Sequence, residues 1–257
     1  GARYDIVTPA DFAQIYNVRP AWAAGITGLG QTVTVAADSD ILPSDWQSFR
    51  SQLGLAGYAG ALSITHPGCA APFQVPAREL EAALDAEWAS VAAPDANIQL
   101  ASCPDDATTA GGITAIEHLL NGSSPPAIVS FSFGTCEIPG DTNTTNFVND
   151  LWQQAAAEGT SVFVASGDGS SAWCDQYSGN PNTDGKVHSG LSVNAFAISP
   201  YAVAVGGTTF TTQLTGQEGQ YWDLTRSTAG NNYQSALSYV PEMAWNDTCG
   251  NPIQAAS

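Results

Sequence analysis

Short apolar runs, most of them stopped by glycine or aspartate and most followed by a stretch of helical periodicity, constrain this chain more than any other feature. The runs cover residues 31–37, 97–101, 127–133 and 161–166, with a fifth at 202–207. Between them lie a short helix from Pro43 through Trp46, Phe49 and Leu53 to Gly54, and a longer one at 77–88. Two more follow, at 109–120 ending on Asn121-Gly122, and at 146–158 capped by Gly159. Strands that alternate with helices need crossover connections, which predict an α/β fold, a parallel sheet with helices on both faces. The almost wholly apolar run at 161–166 is expected in the centre of that sheet, buried on both sides. Beyond residue 210 the pattern gives way to Gln, Thr, Gly and Asn, read as surface hairpins and loops. No repeat or low-complexity linker divides the 257 residues, so they read as one domain.

The segment 77–88 consists of good helix formers, with Leu80, Leu84 and Trp88 recurring every four residues as one apolar stripe. Glu81 and Asp85 then stand one turn apart on a neighbouring face, where like charges oppose each other. A carboxylate pair beside apolar surface can share a proton and titrate as a unit. An exposed acidic face would look the same on this helix alone. Other acids, however, fall where a site belongs. Ligands of open parallel sheets bind beyond the carboxyl ends of the strands. Asp38 closes the first run, Ser132-Phe133-Gly134 closes the third, and Asp168 follows the fourth within Gly167-Asp168-Gly169.

Composition narrows the chemistry. Six Lys plus Arg stand against 24 Asp plus Glu, a net charge of −18, so neither nucleic acid nor an anionic membrane is an expected partner. No apolar run approaches the roughly 18–20 residues that span a bilayer. The chain opens on Gly1-Ala2-Arg3-Tyr4 without a signal-peptide pattern, so a targeting or pro-segment is expected to have been removed or left out. In acid the carboxylates neutralise and few bases remain to drive unfolding by self-repulsion, a composition suited to an acidic environment. The five cysteines lack CxxC spacing and read as structural disulfides of a secreted protein, with one left over.

Several chemistries compete for the clustered acids. A calcium loop packs its ligands closely in sequence, whereas these acids are scattered, so no metal site is expected among them. His66, His118 and His188 show no HExxH-like spacing; a Ser-His-Asp triad is disfavoured, with His188 left open. Glycosidase acids face each other across a cleft, whereas two acids stacked on one helix suit a proton relay.

The run 78–85, Arg-Glu-Leu-Glu-Ala-Ala-Leu-Asp, followed by Ala93-Pro94-Asp95-Ala96-Asn97-Ile98, resembles the helix–strand segment of the sedolisins, the serine-carboxyl peptidases. Residues 127–134 resemble their substrate-binding strand, and 164–169 the segment bearing their oxyanion-hole aspartate. Further landmarks are similar at Thr8-Pro9-Ala10-Asp11-Phe12, Tyr16-Asn17 and 239–246. The chain departs from the family at Gly167-Asp168-Gly169-Ser170, where Gly-Asp-Ser-Gly is usual. It also has no match to the Gly-Thr-Ser-Ala-type nucleophile motif, and Ser170-Ser171-Ala172 is a lookalike on the wrong element.

The resemblance implies a subtilisin-like fold, with residues 1–257 as the N-terminal portion of a single peptidase domain. The serine and a calcium site are then expected in a C-terminal segment outside this chain, a partner linked through Cys249. It implies an acid-active endopeptidase with Glu81 as general base, Asp85 orienting it, Asp38 extending the relay and Asp168 in the oxyanion hole. Ser132, Phe133 and Gly134 are then expected to bind the peptide or protein substrate. Disulfides Cys69–Cys103 and Cys136–Cys174 are likewise implied by the resemblance. The expectation from another class is a non-catalytic binding or scaffold module of the same fold.

Overall fold

The structure, a computed structural model, describes residues 6–137, 142–169, 173–174 and 190–245. His188, Cys249 and Ser170-Ser171-Ala172 lie outside the described residues. Six strands, β1 (Thr32–Ala37), β2 (Leu62–Thr65), β3 (Asn97–Ser102), β4 (Ile128–Phe131), β5 (Ser161–Ala165) and β6 (Val203–Val205), form one sheet. Their order is β2-β3-β1-β4-β5-β6 and every pairing is parallel. The helices before β6 include α1 (Pro9–Ile15), α2 (Arg19–Ala23), α3 (Pro43–Gln52), α4 (Pro76–Ala92), α5 (Gly111–Leu120) and α6 (Thr142–Glu158).

Both faces of β1 are covered, as its apolar run requires. Val35 and Ala37 pack with Trp46 of α3 and with Ala82 and Ala86 of α4. Ala36, between them in sequence, points the other way, into a core built from Ile113 and Ile116 of α5 and Leu151 and Trp152 of α6. The chain leaves β1 in one direction for β2 and β3, then crosses to β4 on the far side of β1. That reversal opens a crevice at the carboxyl ends of β1 and its neighbours.

Two expectations fail here. The buried residues of α4 are Ala82, Ala86, Ser90 and Val91, while Leu80 and Leu84 are 72% and 47% exposed. Alanines let the helix backbone approach the sheet more closely than leucines would, so the larger side chains point outward. Only Trp88 of that stripe is covered, edge-on by Phe12 of α1 with ring centroids 6.1 Å apart. The run at β5 is not central either. Phe163 pairs with Ser130 and Val203, on the α4 side of the sheet, and is 40% exposed. Val203 and Val205 share that side and are exposed too, because α6 covers only the opposite face.

Sequence reading missed the edge strand β2 and the helices α1 and α2. Past residue 207 the chain is more regular than expected. Thr208–Phe210 (β7) pairs antiparallel with Glu242–Ala244 (β8), and short helices occupy Thr211–Thr215 and Glu218–Tyr221. Buried Asp11 ties this region to α1. It accepts from the backbone N–H groups of Ser235 and Ala236, both at 2.7 Å, while closing a capping box with Thr8. Disulfides join Cys69 to Cys103 and Cys136 to Cys174. No helix among the described residues is long and apolar enough to cross a membrane.

The seating of α4 gives a direct test. Ala86→Leu should destabilise the protein by about 1–3 kcal/mol in urea unfolding, because the added atoms have no room. Leu80→Gln on the same helix should stay within about 0.5 kcal/mol. Equal costs at the two positions would put the leucine stripe back in the core.

Candidate active site

The carboxyl edge of the sheet collects the acids. Asp38 follows β1 directly and is nearly buried. Ser132 follows β4, on the face that looks toward α4, and Asp168 follows β5 after Gly167. Gly167 has a φ of +111° and lies against the Trp173 ring, where a Cβ would come within 2.5 Å, so glycine is required there on both counts. From above the edge α4 presents Glu81 and Asp85, one turn apart.

The central contact is a hydrogen bond of 2.8 Å that Ser132 Oγ donates to Asp85 Oδ1. Burial pushes the Asp85 carboxyl up to about 7, against the lowering effect of that bond and with some help from the Glu81 charge. Its other oxygen, Oδ2, is buried and finds no hydrogen-bond partner among the described residues. The Glu81 carboxyl is also raised, first by burial and then by the charges of Asp168 and Asp38. Glu81 therefore lies within electrostatic reach of Asp85, Asp168 and Asp38.

Asp38 is held differently from the relay expected of it. Arg78 Nη1, one turn ahead of Glu81, contacts Asp38 Oδ2 at 3.1 Å and Asp105 Oδ2 at 2.6 Å. Burial raises the Asp38 carboxyl, Arg78 opposes that, and Asp105 adds to it. Sequence reading passed over Arg78 and Asp105. The available signal was a lone arginine three residues before Glu81 in a chain with six basic residues.

Of Ser132, Phe133 and Gly134, only Ser132 turns toward the carboxylates. The Phe133 ring stacks on Phe131 at 5.2 Å and meets the α5 side of the core. Gly134 lies under the Asn194 side chain. His66 is engaged elsewhere: its Nε2 stands 3.0 Å from Asp40 Oδ1, which also accepts from Ser102. His118 is exposed on α5. No group of three or more His, Cys, Asp and Glu among the described residues is arranged to hold a metal ion.

No family model matches the chain. Xanthomonalisin of Xanthomonas sp. (strain T-22) is 32% identical over 228 residues, covering 82% of this chain and 27% of that protein. Kumamolisin of Bacillus sp. (strain MN-32) is 29% identical over 212 residues, 78% of this chain and 34% of that protein. A solved Pseudomonas sedolisin, a serine-carboxyl proteinase complexed with two molecules of pseudo-iodotyrostatin, superposes with a TM-score of 0.67 at 22% identity. The match covers 95% of this chain and 60% of that one. In sequence and in fold the chain is similar to the sedolisins. A lanthipeptide protease shares the fold more distantly, with a TM-score of 0.50 at 14% identity over 77% of this chain and 54% of that one. The chain thus has the subtilisin-like α/β fold, and it spans about a quarter to a third of the length of the curated relatives it matches.

The raised carboxyls make the stability of this chain depend on pH. Glu87, on the same helix, is pushed up to about 7 by burial and then by Asp45. A group whose folded pKa exceeds its unfolded value binds its proton more tightly when folded. Its ionisation therefore costs stability as pH rises from the unfolded value, 3.8 for Asp85 and 4.5 for Glu87, to about 7. The melting temperature should be higher at pH 4.5 than at pH 7, and Glu87→Gln should narrow the difference. Thermal scans in which the wild type gains stability toward neutrality would contradict this.

Proposed function

We propose that the protein to which this chain belongs is an acid-active serine-carboxyl endopeptidase that hydrolyses peptide bonds in peptide or protein substrates. The observation that carries the reading is the Asp85 carboxyl, buried on α4, bonded to Ser132 and one turn from Glu81. Glu81 takes the proton from a serine supplied by a segment outside this chain, and that serine attacks the substrate carbonyl. Asp85, still protonated in acid, orients the Glu81 carboxylate that receives the proton. Asp168, protonated, donates to the tetrahedral oxyanion. A histidine base would be fully protonated in acid and unable to accept, whereas a glutamate titrates in the acid range. Asp38, paired with Arg78, supplies field rather than a proton path.

The bare apolar side chains Phe163, Val203 and Val205 on the α4 side of the sheet support a further segment covering that face. The nucleophile, a calcium site and the partner of Cys249 are assigned to it by the family resemblance. The two disulfides support secretion into an oxidising compartment. A non-catalytic module would leave the converging, raised carboxyls without a use.

The test is kcat/KM from pH 2 to 8 on a peptide substrate, with protein that contains the serine-bearing segment. Activity should be bell-shaped and centred in acid. It should fall on the low side as Glu81 takes up a proton, and on the high side as Asp85 loses its own. Glu81→Ala and Asp168→Ala should each cost at least about 10²–10³ in rate, and Glu79→Ala far less. A maximum at neutral pH, or activity that depends on His188, would overturn the carboxylate mechanism.

A further inference from the structure

The ladder between β4 and β5 ends at Phe131↔Val164, and the two chains then diverge on their way to Ser132 and Asp168. The side chain of Asn194, fully buried, fills the gap between them. Its Nδ2 donates to the carbonyls of Phe133 at 2.9 Å and Ala165 at 2.7 Å. Its Oδ1 accepts from the N–H groups of Thr135 at 3.1 Å and Phe196 at 3.0 Å. A carboxamide offers two donor hydrogens and two acceptor lone pairs, so its whole capacity is used. The backbone repeats the link: Asn194 N–H donates to Ser166 O at 3.3 Å, and Ala195 N–H to Thr135 O at 2.9 Å. Gly134 makes the room, since a Cβ there would stand 2.6 Å from the amide carbon of Asn194.

We infer that Asn194 is a positioning residue, inserted like an extra peptide unit between β4 and β5, that sets the spacing between the Ser132 segment and the Asp168 segment. The inference rests on the proposed reading of Glu81 and Asp168. In that reading the substrate carbonyl is attacked near Ser132 while its oxygen must fall within about 2.7–3.1 Å of the Asp168 donor. Misplacement by about 1 Å is enough to cost about 10²-fold in rate. No other side chain of this size satisfies two carbonyls and two N–H groups together. Aspartate keeps the acceptors but has at most one donor, and alanine leaves four buried backbone groups without their partner.

The experiment compares wild type, Asn194→Asp and Asn194→Ala in the full-length protein, at a temperature where thermal unfolding shows all to be folded. It reads steady-state peptide hydrolysis and amide hydrogen exchange at Thr135 and Phe196. Asn194→Ala should lower kcat about 10²-fold with KM little changed, the pattern of a lost transition-state alignment. Asn194→Asp should fall between it and wild type, and exchange at Thr135 should quicken in the order wild type, Asp, Ala. If the alanine variant does not fold, the aspartate variant decides by the same two readouts. Wild-type kcat in a folded variant, or a change confined to KM, would overturn the inference. If wild type hydrolyses no peptide, the reading of Glu81 and Asp168 fails. Unchanged Thr135 exchange in the variants would then still overturn the spacing role of Asn194, and faster exchange would sustain it.

Discussion

The close seating of α4 on β1 and β3, through the fully buried faces of Ala82 and Ala86, is the constraint on which the rest of the site depends. A helix face of methyl groups brings the backbone down onto the sheet. It thereby carries Asp85 within 2.8 Å of a serine that belongs to a strand end rather than to the helix. With a leucine at either position the helix would ride higher, and the bond to Ser132 would open. The same closeness removes water from Asp85 and lifts its carboxyl to about 7.

Burial and charge then divide the acids into roles. Asp85 has the deeper site and keeps its proton. Glu81, nearer solvent, is raised mainly by burial and then by Asp168 and Asp38, and in the proposed mechanism it is the carboxyl that accepts the proton. Arg78 holds Asp38 and Asp105 and so limits how much negative field reaches Glu81. The chain as a whole follows the same logic. With a net charge of −18 and six basic side chains, lowering the pH relieves repulsion rather than creating it.

The order of strands and helices was legible because most apolar runs are stopped by glycine or aspartate, and the crossovers followed from that order alone. Helix faces were less legible. Leu80 and Leu84 outrank alanine on any scale of hydrophobicity, yet the sheet accepts alanine, because close packing rather than hydrophobicity decides which face goes in. Phe163 misled for a related reason: one apolar strand looks the same whether one or both of its faces are covered. Glu81, Asp85, Asp38 and Asp168 could be found from spacing and from strand ends. Asn194 could not, since its partners lie about 30 and 60 residues away and meet only in the folded chain. Arg78 stood out only as a lone base before Glu81, and its partners Asp38 and Asp105, on two different loops, meet it only in the folded chain.

The proton on Asp85 is the most direct test of the account. Selective ¹³C labelling of aspartate carboxyls, with Asp85→Asn to assign the signal, allows its titration to be followed by NMR in the intact protein. The expected result is a midpoint near 7, well above the ordinary aspartate value of 3.8, with Ser132→Ala moving it higher still. A midpoint at the ordinary value would mean that α4 does not seal Asp85 from water, and the division of roles between Asp85 and Glu81 would fall with it.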